Sequence, residues 1–198
     1  MAALVLASGS QARARMLRDA GVEIEIAVAA IDETELMRGF RAEGLASVGV
    51  AEALAELKAQ RVSAKFPGRL VLGADQMLDC AGIWFEKPGD LAAARRHLLA
   101  LRGRMHRLIS SAVLVKDGTR LWHHTAAAEL TMRDFTEGFL DAYLAVAGDT
   151  VLASVGAYQL ERLGAQLFAR IEGDFFTILG LPLLAVLDIL REQGMLKT

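Results

Sequence analysis

Strand-like and helix-like stretches alternate along this chain, and two of the strand returns are tight turns, at Asp79 to Gly82 and at Lys116-Asp117-Gly118. That rhythm constrains the fold more than any other feature. Helical crossovers join parallel strands, whereas short turns join antiparallel ones. A chain that uses both implies an α/β fold with a mixed sheet and helices on its faces. Leu4 to Leu6 reads as a short buried strand, with Ser8-Gly9-Ser10 turning into a helix over Gln11 to Ala20 that Gly21 closes. Glu23 to Val28 alternates as a strand does, and Ile31 to Arg41 reads as loop or short helix. Val48 to Lys65 is a long helix, stopped by Pro67-Gly68, and Arg69 to Leu78 is a strongly apolar strand with Ile83 to Phe85 returning along it. Asp90 caps a helix over Leu91 to Arg102; Leu108 to Val115 and Leu121 to Met132 make a hairpin. Phe139 to Val146 is helical, Val151 to Gln159 carries no clear pattern, Gln166 to Ile171 is a strand, Glu172-Gly173-Asp174 is a turn, and Pro182 opens a last helix to Gln193.

No linker, repeat or low-complexity tract divides the 198 residues, so residues 1–198 are expected to form a single domain. A hydrophobic share of 54% is enough for a large core. A formal net charge of -2 and a pI near 6.1 oppose a nucleic-acid partner, which would need a basic face. The longest apolar stretch, Phe175 to Leu187, is interrupted by Thr177, Gly180 and Pro182 and is too short to cross a bilayer. With no signal-peptide pattern over Met1 to Ser10, the expected location is cytoplasmic, with no membrane partner. Cys80 is the sole cysteine, which excludes an internal disulfide and a cysteine zinc cluster. Four histidines, His97, His106, His123 and His124, show no zinc-ligand spacing.

Several residues look out of place for structure alone. Asp75 interrupts the apolar run Leu70 to Leu78. A carboxylate there must meet a cation, open into a cleft, or point to water at a strand end with Gly73 marking a bulge. Lys58 sits on the helical stripe of Leu54 and Val62, where it either snorkels or reaches into a cleft. Lys87 precedes Pro88, just after the return strand. These two belong to only five lysines, against a chain that otherwise uses arginine. Arg13 and Arg15 stand near a helix N-terminus, where the macrodipole disfavours cations and favours an anion. Asp32-Glu33, with Asp75, offers hard oxygens for Mg²⁺ or Mn²⁺.

These positions fall in one order. Leu6-Ala7-Ser8-Gly9-Ser10 with Arg13, Ile31-Asp32-Glu33, Leu57-Lys58-Ala59, Gly73-Ala74-Asp75-Gln76 and Lys87-Pro88 are followed by Gly103-Arg104-Met105-His106, Gly156-Ala157-Tyr158 and Gly173-Asp174-Phe175-Phe176 through Gly180-Leu181-Pro182-Leu183. In this set and order the chain resembles the Maf family of nucleoside triphosphate pyrophosphatases, nearly end to end. The resemblance implies two lobes around a long, twisted mixed sheet with a nucleotide cleft between them. It implies cleavage of the α–β phosphoanhydride, giving a nucleoside monophosphate and pyrophosphate, with a divalent cation, and a homodimer as in the family. Asp75 is the implied proton acceptor; Glu33 and Asp75 are the implied metal ligands; Ser8, Ser10, Arg13, Lys58 and Lys87 line the triphosphate.

Gln76 and Glu161 are the implied base-side contacts, and together they resemble the branch acting on 7-methyl-GTP rather than the one acting on dTTP and UTP. Ala12 departs from both branches, since one has arginine and the other tryptophan there; Ser154-Val155-Gly156 lacks the family's lysine. The missing cations raise an alternative, a nucleotide-binding regulator of septum formation with little catalysis.

Overall fold

The computed structural model describes residues 3–197. Its elements run β1 (Leu4–Ala7), α1 (Gln11–Asp19), β2 (Ile24–Ile26), α2 (Glu33–Ala42), α3 (Ser47–Ser63), β3 (Leu70–Cys80) and β4 (Ile83–Phe85). They continue with α4 (Leu91–Leu101), β5 (Met105–Lys116), β6 (Thr119–Met132), α5 (Glu137–Ala147), β7 (Phe168–Glu172), α6 (Phe175–Ile178) and α7 (Leu183–Glu192). The strands form one sheet in the order β2-β1-β3-β5-β6-β7, with β4 pairing β3 beside that path. β1 runs parallel to β2 and β3, and the remaining pairs are antiparallel. The sheet is therefore mixed, as the rhythm of crossovers and hairpins requires.

The structure settles one stretch that the sequence left open as loop or short helix, and it alters two others. Residues 33–42 form a ten-residue helix because the Asp32 side chain accepts from Glu35 N–H at 3.0 Å, capping it. Residues 163–167 form a 3-10 turn, so the following strand begins only at Phe168. Residues 175–178 form a short helix within the run before Pro182, with Asp174 accepting from both Thr177 N–H and its hydroxyl.

Side chains of β3 alternate between two packed faces. Val71 and Gly73 face α3, where Ala55, Ala59 and Val62 pack with Val5 and Val113. Leu72 and Ala74 face α1 and α7, in a core with Leu6, Leu17, Leu181 and Val186. A separate core lies under α4 and α5 and takes in Leu78, Phe85, Leu98, Leu101, Leu130, Leu140 and Tyr143. A fourth cluster, with Met37, Val50, Leu54, Met77 and Ile109, lies where α2 and α3 meet the sheet, so helices flank one mixed sheet as the resemblance implied. Phe85 and Leu140 are part of the core under α4 and α5, and Phe139 packs against it.

Gly73 is not at a bulge. The pairing of β3 with β5 runs through it without a shift, and it is the last residue of β3 paired with β1. It is glycine because α3 comes so close: a Cβ there would lie 2.1 Å from the Ala55 carbonyl oxygen. The sheet's register shifts lie elsewhere, between Leu114 and Val115 and between Thr131 and Met132.

The same edge of β3 carries a gap. β1 stops with Ala7 opposite Gly73, and β4 begins pairing only at Leu78 opposite Phe85. Residues 74–77 have no strand neighbour on that side among the described residues. The gap is a notch in the sheet's edge between the end of β1 and the pairing of β4.

Candidate active site

Asp75 lies at the floor of this notch, in mid-strand, with 6% of its surface exposed. Lys58 reaches it from α3. Its Nζ stands 2.6 Å from Asp75 Oδ1 and 2.9 Å from Glu33 Oε1, so one ammonium bridges two carboxylates. Close approach of α3 at Gly73 sets where that ammonium falls, one helical position before the Ala59 contact. Leu54 and Val62, a turn to either side of Lys58, are core. The lysine therefore turns inward, and its side chain is only 11% exposed. Glu33 enters as the first residue of α2, and its neighbour Asp32 has the separate task of capping that helix. The two adjacent acids thus divide between site and scaffold.

Arg13 approaches from the opposite face of the sheet. Its Nε donates to the Gly180 carbonyl at 2.7 Å, and its Nη1 donates to Ser8 Oγ and to the Ala74 carbonyl, both at 3.0 Å. The Ala74 carbonyl is one of the groups that the notch leaves without a strand partner, and Arg13 satisfies it. Two carbonyls and a serine hydroxyl accept from this guanidinium, and the charges of Asp75 and Glu33 also act on it. Ser10 caps α1, accepting from Arg13 N–H at 3.4 Å, while Ser10 N–H donates to Ser8 Oγ at 3.3 Å. Arg15 is an exposed partner of Asp19 and takes no part.

Lys87 is exposed in the segment after β4, near enough for its charge to act with those of Arg13, Glu33, Lys58 and Asp75. Burial pulls its ammonium below the ordinary lysine range, Arg13 and Lys58 push the same way, and Glu33 and Asp75 oppose them. The charges of all five residues thus act on one region. Burial raises the Asp75 carboxyl above its ordinary value, against the pull of Lys58 and Arg13. Burial likewise lowers the Arg13 guanidinium, against Asp75 and Glu33.

Gln76 points to the other face. Its Nε2 lies 3.0 Å from Ser110 Oγ and 3.1 and 3.0 Å from the carbonyls of Thr177 and Ile178. Ser110, itself fully buried, donates to the same Thr177 carbonyl at 2.8 Å. These bonds tie α6 to the strand that carries Asp75. Ser110 and Thr177 were missed in the sequence, though a serine pair inside the apolar run Leu108 to Val115 was the available signal. Glu161 stands exposed on the turn that follows Leu160, outside the hydrogen bonds and ion pairs that join the other residues. The Gly156-Ala157-Tyr158 segment builds core: Tyr158 Oη lies 2.8 Å from His106 Nε2, and a Cβ on Gly156 would lie 2.1 Å from the Tyr158 ring.

Asp75 and Glu33 aim one oxygen each at a single point, now held by a cation. Such hard oxygens suit Mg²⁺ or Mn²⁺ when phosphate oxygens and water complete the shell. Among the described residues, no group of three or more His, Cys, Asp or Glu side chains is placed to cage a metal unaided.

Residues 3–193 match the Maf-like protein family. The chain belongs to that family. Among Maf-like relatives it is 62% identical over 190 residues to a nucleoside triphosphate pyrophosphatase of Paramagnetospirillum magneticum, covering 96% of this chain and 98% of that one. It is 51% identical over 190 residues to a nucleoside triphosphate pyrophosphatase of Granulibacter bethesdensis, covering 96% of each. It is also 51% identical over 191 residues to a 7-methyl-GTP pyrophosphatase of Mesorhizobium japonicum, again covering 96% of each. No helix of the described residues is long and apolar enough to cross a membrane.

Proposed function

We propose that this Maf-like protein hydrolyses nucleoside triphosphates at the α–β phosphoanhydride, releasing a nucleoside monophosphate and pyrophosphate. The observation that carries the reading is the Lys58 ammonium held between Asp75 and Glu33 where the edge of β3 has no strand partner. Names of close relatives support the substrate class.

The triphosphate lies along the notch, against the cations that border it. Lys58 and Lys87 donate to phosphate oxygens. Arg13 has spent three contacts on protein acceptors, so its Nη2 is the part left to face a phosphate. Ser8 and Ser10 hold the turn that brings the N-terminus of α1 to the notch, where free N–H groups and the macrodipole favour an anion. Asp75 takes the proton of the attacking water as that water's oxygen bonds to a phosphorus of the anhydride and the bridging bond breaks. A raised pKa suits this role, because a more basic carboxylate accepts a proton more readily. Asp75 and Glu33 would hold a divalent cation, which when bound would draw charge from the phosphate oxygens. Keeping these groups in line supplies much of the rate.

For the base, we take 7-methyl-GTP as the preferred substrate. Gln76 spends its amide nitrogen on α6 and so offers its oxygen. Glu161 supplies an exposed carboxylate suited to a positively charged purine.

A panel of 7-methyl-GTP, GTP, dTTP, UTP and CTP, incubated with protein and Mg²⁺ or Mn²⁺, tests the reading. Release of pyrophosphate without orthophosphate is expected, fastest from 7-methyl-GTP. Micromolar nucleotide binding with no turnover anywhere on the panel would leave a nucleotide-binding regulator instead.

A further inference from the structure

We propose that Lys58 is the resident cation of the free site. While nucleotide is absent it excludes a divalent ion, and the ion enters only with the triphosphate. The inference rests on the reading of Asp75 and Glu33 as cation ligands. Its geometric basis is that Nζ lies 2.6 Å from one carboxylate and 2.9 Å from the other, in the space an ion shared by both would need. Ala55, Ala59 and Val62 hold α3 in the buried core against Val5, Val71 and Val113, so a withdrawal of the helix would break that packing. Only its own side chain can move, and it moves only toward another acceptor.

Charge points the same way. Asp75 and Glu33 contribute -2 formally; Lys58, Lys87 and Arg13 contribute +3, so the group sums to +1. A net positive notch repels a free divalent cation and attracts a triphosphate. Once phosphate oxygens arrive, they give Lys58 a new partner for its three N–H donors. They also reverse the sign of the local charge. The two carboxylates are then released to the ion that travels with the nucleotide. Order of addition is thus built into the side chains: nucleotide and cation together, never the cation first.

Mn²⁺ binding to nucleotide-free protein, read by the electron paramagnetic resonance of unbound Mn²⁺, tests this without reference to turnover. Lys58→Met should bind Mn²⁺ at least about tenfold more tightly than the unaltered chain, since removing the competing ammonium leaves two facing carboxylates. Adding Asp75→Asn to Lys58→Met should abolish the gain. Equal or weaker affinity in Lys58→Met would overturn the inference, as would a gain that survives Asp75→Asn. Lys58→Gln provides the same comparison if the methionine variant does not fold. The unaltered chain provides another: Mn²⁺ alone should leave its Tm unmoved, whereas Mn²⁺ with a non-hydrolysable α,β-methylene triphosphate should raise it. A rise with Mn²⁺ alone would also overturn the ordering. These results stand apart from the panel above: pyrophosphate release with no Mn²⁺ gain in Lys58→Met sinks the ordering and leaves the catalytic reading in place.

Discussion

Asp75 keeps its proton to a higher pH than an ordinary aspartate, because burial outweighs the attraction of Lys58 and Arg13. As a base it must be ionised, so kcat/KM falls as pH drops through this raised pKa. The acid limb should therefore have its midpoint above 3.8, the ordinary value. Initial rates across pH measure it, and a midpoint at or below that value would count against a buried base. Lys87 is expected to bind phosphate directly, so Lys87→Ala should lower kcat/KM about ten- to hundredfold, the worth of about 1.5–3 kcal/mol for a hydrogen bond to a charged group. A change of less than about twofold would remove Lys87 from the triphosphate path. At this scale the sequence is readable where a residue type conflicts with its surroundings. A carboxylate in an apolar strand and a lysine on an apolar helical stripe both turned out to be inward-facing partners. Arg13 was found by its place at a helix start, yet its three acceptors come from residues 8, 74 and 180, and no local pattern shows that meeting. Gln76 was marked for the base, yet its amide nitrogen holds α6, because carbonyls far along the chain happen to face it.

Among the elements, α3 and β3 decide the site together. Their seam requires glycine at position 73, since any side chain would meet Ala55 and Ala59. Gly73→Ala should lower stability by about 1–3 kcal/mol, the usual range for overpacking. It should also lower activity by more than the loss of folded protein explains, because α3 must move and carry Lys58 away from Asp75. Denaturant melts and activity per folded molecule, measured on the same sample, check both. An unchanged rate per folded molecule would show that Lys58 does not depend on this seam. Element types were legible from alternation and caps: α1, α3, β3, α4 and the β5–β6 hairpin all stand close to where apolar rhythm and turn residues put them. Less legible were α2, whose polar face hid a helix capped by Asp32, and α6, whose single turn depends on Asp174 and on tertiary partners. The notch could not be read at all, because it results from where two strands fail to pair.

Across the whole molecule, the core under α4 and α5 has its own buried titratable centre. His106 is fully buried against Tyr158, and burial pushes its pKa down to about 4 from 6.5. In the unfolded chain it regains the ordinary value and takes up a proton first as pH falls. Its contribution is fully present above 6.5, is lost as pH falls toward 4, and amounts to about 3 kcal/mol at most across that window. Melts from pH 7 to pH 4 should show a Tm decline that is shallower in His106→Gln; parallel declines would contradict this. The account of the site depends on chemistry at one carboxylate. Asp75→Asn tests it most directly, with pyrophosphate release from 7-methyl-GTP followed at saturating nucleotide and Mg²⁺, alongside the Tm of the same sample. The account predicts a kcat lower by about 10²–10⁴-fold, the share that proton transfer supplies, in a protein that remains folded. A folded Asp75→Asn protein that turns over at the unaltered rate would contradict it.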